Sequence, residues 1–122
     1  MKLDPDITGG HLVRGFTGNA ILVGAESFSR PLILTVDRII RDWDPPAVEQ
    51  LADADFAAIL ALEPEVILLG TGARQRFPNP NVTTTILRQG IGIEIMNTAA
   101  ACRTYNILAG EYRRVAAALF VS

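Results

Sequence analysis

The chain has one cysteine and one histidine in 122 residues. Cys102 therefore closes no intramolecular disulfide. His11 has no cysteine or acidic neighbour at metal-ligand spacing, so no metal is expected. No apolar stretch approaches the roughly 20 residues that span a bilayer, and Met1-Lys2-Leu3-Asp4-Pro5-Asp6 lacks the apolar core of a signal segment. The expected compartment is the cytoplasm. Surplus positive charge is missing as well: the formal net charge is -2 and the isoelectric point is near 5.3. That excludes a broad basic field for nucleic acid or an anionic membrane, but it leaves room for a few arginines to hold one small anion.

What is present is ordinary globular composition, with 49% hydrophobic and 20% charged residues. The length suits one domain over residues 1–122, with a core that needs neither disulfide nor structural metal. The first third reads as β-rich. Leu12-Val13-Arg14-Gly15-Phe16 and Ala20-Ile21-Leu22-Val23 flank Thr17-Gly18-Asn19, which has the small and polar residues of a hairpin loop. A second antiparallel pair is expected from Leu32-Ile33-Leu34 and Arg38-Ile39-Ile40-Arg41, ended by Trp43-Asp44-Pro45-Pro46. Trp43 reads as packing a loop on the sheet and His11 as a surface residue of the first strand; either could instead rim a binding face.

The character changes at Asp53, whose carboxylate is placed to cap a short helix over 54–61, closed by Pro64. Val66-Ile67-Leu68-Leu69 then reads as a strand buried on both faces, with Gly70-Thr71-Gly72 turning the backbone at its carboxyl end. Asn81 is the expected cap of a helix over 82–89 that stops at Gly90. Ile91-Gly92-Ile93-Glu94-Ile95-Met96 alternates as a second core strand and runs into Asn97-Thr98, capping residues for a helix over 99–110. Residues 113–121 mix helix-favouring alanine with strand-favouring valine and phenylalanine. They are read as a closing strand that covers a remaining sheet edge. The fold class is α/β: an N-terminal antiparallel β-rich part, then a C-terminal αβαβαβ segment. The right-handed crossover rule makes the strands at Val66 and Ile93 parallel.

Parallel pairing brings Gly70-Thr71-Gly72 and Asn97-Thr98 to one carboxyl edge, where open α/β sheets bind ligands. Gly70, Thr71, Gly72 and Arg74 could cradle an oxyanion, although they match neither a phosphate loop nor a dinucleotide fingerprint, and a tight turn with a solvated arginine fits equally. Asn97 and Thr98 open a helix whose free amides favour an anion, with Arg103 one turn further on. Plain capping and a structural ion pair for Arg103 are the alternative. Glu94, opposite three isoleucines on a strand read as central, must reach solvent in a pocket or pair with a cation, Arg74 or Arg103. These eight residues form the candidate ligand-binding set. No catalytic residue is singled out. Cys102 reads as a small packed residue rather than a nucleophile, and Asp53 and Asp55 as helix-start carboxylates. No cofactor is expected.

The blocks Pro64-Glu65-Val66-Ile67-Leu68-Leu69-Gly70-Thr71-Gly72 and Gly90-Ile91-Gly92-Ile93-Glu94-Ile95-Met96-Asn97-Thr98-Ala99-Ala100-Ala101-Cys102-Arg103-Thr104-Tyr105-Asn106, with the closing Arg113-Arg114-Val115-Ala116-Ala117-Ala118-Leu119, resemble the domain-of-unknown-function 498 family. That family includes small bacterial proteins and the mitochondrial NADH dehydrogenase (complex I) assembly factor 3. The resemblance implies a three-layer α/β fold with a mixed sheet. It implies no established enzymatic activity and carries over no catalytic residues. The leading expectation is a non-catalytic interaction module with an unidentified protein partner, assisting assembly of a respiratory or membrane-associated complex. The rival is a small-anion-binding protein or enzyme that uses the carboxyl-edge cleft, with Arg74 and Arg103 holding the anion and Glu94 as acid or base.

Overall fold

Branched apolar residues with no polar alternation leave a strand no face to turn toward water, so such a strand must lie between two packed layers. That is the position of Val66-Ile67-Leu68-Leu69. The computed structural model describes residues 10–122; the reading of Met1 to Asp6 lies outside them. Five strands come first: β1 (Val13–Phe16), β2 (Ile21–Val23), β3 (Glu26–Phe28), β4 (Leu32–Leu34) and β5 (Ile39–Ile40). Two single-turn 3-10 segments, Val48–Gln50 and Asp53–Phe56, lead into α1 (Ala57–Leu60). Then follow β6 (Val66–Thr71), α2 (Pro80–Arg88), β7 (Gly92–Met96), α3 (Thr98–Gly110) and β8 (Val115–Phe120).

The strands make two sheets. One is an antiparallel meander, β1-β2-β3; the other is a mixed sheet of order β5-β4-β8-β6-β7. β6 is parallel to both β7 and β8, and β4 is antiparallel to β8 and β5. The chain moves from β6 outward to β7 through α2, then back past β6 to β8 through α3. Right-handed crossovers in opposite directions put their helices on opposite faces, which makes three layers. On one face Val66, Leu68, Ala117 and Leu119 pack with Ala101 and Tyr105 of α3 and Val13, Ile21 and Phe28 of the meander. On the other, Ile67, Leu69, Ala116, Ala118 and Phe120 pack with Phe56, Ile59, Val82 and Ile86 and with the buried Trp43, whose ring meets Phe120 edge-on at 5.6 Å.

Both expected hairpins form, β1 with β2 and β4 with β5, and the strands at Val66 and Ile93 are parallel. β3 was not anticipated: Glu26-Ser27-Phe28 has only one apolar residue, and its pairing with β2 supplies the order. The closing strand β8 is central, between β4 and β6, rather than at an edge, and its six residues are all buried. β7 is the edge strand, so Glu94 does not sit on a central strand and is exposed.

Two caps also differ from expectation. Asn79, not Asn81, caps α2, accepting the Asn81 amide at 2.8 Å with Pro80 preset for the first turn. Asp55, not Asp53, closes the preceding segment by accepting the Ala52 amide at 2.8 Å. Only its last turn is α-helical.

Candidate functional site

The strand order reverses at β6, and the carboxyl end of such a strand is where open α/β sheets leave a crevice. Here the chain fills that crevice with its own backbone. The expected turn at Gly70-Thr71-Gly72 begins later than predicted, because β6 continues through Thr71 and its pairing with β8 extends to Phe120. A Cβ on Gly70 would lie 2.9 Å from Leu119 Cδ2 and 3.1 Å from both Ala101 Cβ and Thr98 Oγ1. Gly72 has φ 93°, and a Cβ there would come within 2.7 Å of the Ser122 carbonyl carbon. Both glycines are therefore required by close packing of strand, helix and C-terminal residue.

Thr98 is fully buried, and its groups are all committed. Its hydroxyl donates to the Phe120 carbonyl at 2.6 Å and accepts the Gly72 amide at 2.8 Å, while its own amide donates to the Gly72 carbonyl at 2.9 Å. Asn97 caps α3 by accepting the Ala100 amide at 2.8 Å. The buried Thr71 hydroxyl donates to the Arg74 carbonyl at 2.6 Å, lies 3.2 Å from the Met96 carbonyl and accepts the Arg76 amide at 3.1 Å. Gly70, Thr71, Gly72, Asn97 and Thr98 are thus brought together as one hydrogen-bonded frame. An anion drawn to this helix end meets Thr98 and Ala100 amides that already have acceptors.

Arg74, Glu94 and Arg103 are exposed, and among the described residues no ion pair joins Glu94 to either arginine. Of the two alternatives read for Glu94, reaching solvent or pairing with Arg74 or Arg103, the carboxylate reaches water, because it stands on an edge strand. The loop after β6 is held by residues that the sequence did not single out. Gln75 Nε2 donates to the Ile95 carbonyl at 2.8 Å. Arg76 grips Glu49 through two bonds of 2.8 and 2.6 Å, and this hydrogen bonding holds the Glu49 carboxyl below its ordinary range. A contact between residues 27 apart, on two irregular segments, leaves no spacing signal in a sequence.

Among the described residues the outer edge of β7 is covered by no strand. Gly92 N–H donates inward to the Glu65 carbonyl, so the alternation along the strand turns the backbone groups of Ile93 and Ile95 away from β6. Among the described residues no strand pairs there, and only the Ile95 carbonyl has a side-chain partner, Gln75. Cys102 is buried on the inner side of α3, and desolvation pushes its thiol up to about 11, the opposite of an activated nucleophile.

The fold and this geometry define a class: a three-layer α/β protein whose sheet is closed at its switch point and open along one edge strand. The chain belongs to the family described as Protein of unknown function (DUF498/DUF598), whose model matches residues 13–120. It is 33% identical over 89 residues to the "13 kDa major membrane protein" of Francisella tularensis subsp. holarctica (strain LVS), covering 72% of each chain. It is 31% identical over 108 residues to the "NADH dehydrogenase [ubiquinone] 1 alpha subcomplex assembly factor 3" of Mus musculus, covering 87% of this chain and 55% of that protein. The chain thus spans little more than half the length of that relative. The NMR structure of a Xanthomonas campestris protein, 45% identical, superposes with a TM-score of 0.84 and covers 91% of this chain and 84% of that one. Among the described residues, no helix is long and apolar enough to cross a membrane.

Proposed function

We propose that this chain is a non-catalytic interaction module, acting as one domain in the cytoplasm, that assists assembly of a respiratory or membrane-associated complex by holding a partner polypeptide along the outer edge of β7. The observation that carries this reading is the outward backbone of Ile93 and the outward Ile95 amide, which no strand among the described residues pairs, and the assembly-factor name of relatives in the same family supports it. A strand added there gains main-chain hydrogen bonds, with specificity from side chains on the two faces. Arg74, Glu94 and Arg103 are the exposed members of the carboxyl-edge set and serve as its contact charges, while Gly70, Thr71, Gly72, Asn97 and Thr98 hold the frame.

The occupant is a different chain rather than a second copy. An antiparallel self-pairing centred on β7 matches Ile93 with Ile95 and sets Glu94 directly against Glu94 of the copy, a destabilising like-charge pair. A partner strand with Lys or Arg at that position fits instead. The rival reading, an anion site or enzyme at the Gly72 and Thr98 end, draws no support from the relatives' names and faces amides that are already bonded.

Affinity capture of the tagged chain from its own cells, compared with Ile93→Pro and Glu94→Lys, tests the proposal. Ile93→Pro deletes an outward-facing amide and blocks strand addition. The wild type is expected to enrich a subunit or assembly component of such a complex, with at least about tenfold loss in Ile93→Pro. Clean captures without enrichment, or a partner retained equally by both variants, overturn the proposal.

A further inference from the structure

At the opposite end of the sheet, where β6 and β8 begin and β4 turns into β5, the surface opens into a groove of about 660 Å³. That volume lies within the range of small-molecule sites, about 300–1,000 Å³. Val36, Ala61 and Leu62 contribute its accessible apolar lining, and Arg38, Arg113 and Arg114 line it together with Asp37. Three arginines beside one aspartate give the groove a sign opposite to the chain's net -2.

Much of that charge is unspent. Arg113 Nε reaches Glu65 at 3.1 Å, but among the described residues the Arg114 guanidinium uses only Nε, on the Glu63 carbonyl at 3.2 Å. Arg38 has no side-chain acceptor among the described residues. Two guanidinium groups therefore remain available for an anionic head beside an apolar surface.

Backbone strain collects at the same place. Among the described residues the non-glycine positions with positive φ are Glu63 at 54° and Tyr112 at 62°, and they end α1 and α3 beside this groove. α2, which ends elsewhere, is followed by Gly90 at 79°, the residue type that adopts this conformation freely. Tyr112, a residue 83% exposed, also lines the groove, an aromatic kept at a position where glycine would relieve the backbone.

We propose that this groove binds an anionic amphiphile, an alkyl or acyl chain whose carboxylate or phosphate head is held by Arg38 and Arg114 while the chain lies on Val36, Ala61, Leu62 and the Tyr112 ring. The site is separate from the β7 edge, so it stands or falls independently of the capture experiment.

The test is a titration of the full chain, followed by amide NMR shifts, with four probes below their micelle concentrations: octyl phosphate, octanoate, inorganic phosphate and 1-octanol. Octyl phosphate or octanoate is expected to shift the amides of Val36, Arg38, Leu62 and Arg114 and to bind at least about tenfold more tightly than inorganic phosphate or octanol. Arg38→Glu and Arg114→Gln, each checked for wild-type spectral dispersion, are expected to weaken binding about tenfold or more, while Arg30→Ala, outside the groove, changes nothing. No shifts in the millimolar range, shifts centred elsewhere, octanol binding as tightly as octyl phosphate, or unchanged affinity in both arginine variants would each overturn the assignment.

Discussion

Thr98 does the work that the sequence pointed toward a ligand. Its hydroxyl joins α3, the residue after β6 and the end of β8. Thr98→Val keeps the shape but leaves the Gly72 amide and the Phe120 carbonyl without that partner. The expected loss is about 1–3 kcal/mol in urea denaturation, with most of the stability restored in Thr98→Ser. At this scale the sequence was partly legible. Asn97 as a cap follows from its residue type just before a helical pattern, and that is where it acts. Asn81 was read as the α2 cap on the same ground, but Asn79 takes that place, because Pro80 suits the first helical position. Arg76 with Glu49 could not have been paired from spacing.

At the scale of elements, α3 ends in a Schellman motif: the Arg113 amide donates to the Leu108 carbonyl and the Tyr112 amide to that of Ala109, with Tyr112 in the left-handed conformation. Tyr112→Gly relieves that strain. It is expected to raise stability by up to about 1 kcal/mol in urea denaturation, partly offset by glycine's greater unfolded-state entropy. The same substitution is expected to weaken amphiphile binding in the groove. β8 shows why composition misplaced an element. Ala116-Ala117-Ala118 has poor strand propensity, yet pairing with β4 and β6 on both sides and burial on both faces override it. Small side chains on a central strand let Ala101 and Tyr105 of α3 pack close on one face.

Over the whole molecule, the layer beneath α3 holds two neutral acids. Burial pushes the Cys102 thiol up from its ordinary value near 9 to about 11; burial and the charge of Asp37 raise the Tyr105 phenol, whose hydroxyl donates to the His11 carbonyl. A pKa raised by folding contributes stability that is present below the unfolded value and lost as pH rises through the folded one. Urea midpoints are therefore expected to hold steady to about pH 9 and to fall above it. Cys102→Ala should flatten the portion of that decline between about 9 and 11 while leaving the later tyrosine portion in place. A decline of the same shape in both proteins would remove Cys102 from the account.

The sequence by itself determined the α/β class, the two hairpins, the parallel pairing of the strands at Val66 and Ile93, the start of α3 at Asn97 and Thr98, and the family. Each rests on local pattern: alternation, capping chemistry, or a crossover rule that acts between neighbours in the chain. Tertiary structure alone decided that β8 is central and β7 an edge, that Glu94 faces water, and that the crevice at the end of β6 is filled by Thr98 and Ser122. It also decided that Arg38, between β4 and β5, and Arg113 and Arg114, just before β8, line one groove. Strand order and the meeting of distant loops are set by which faces bury the most surface against each other, and residue types read one segment at a time do not encode that sum.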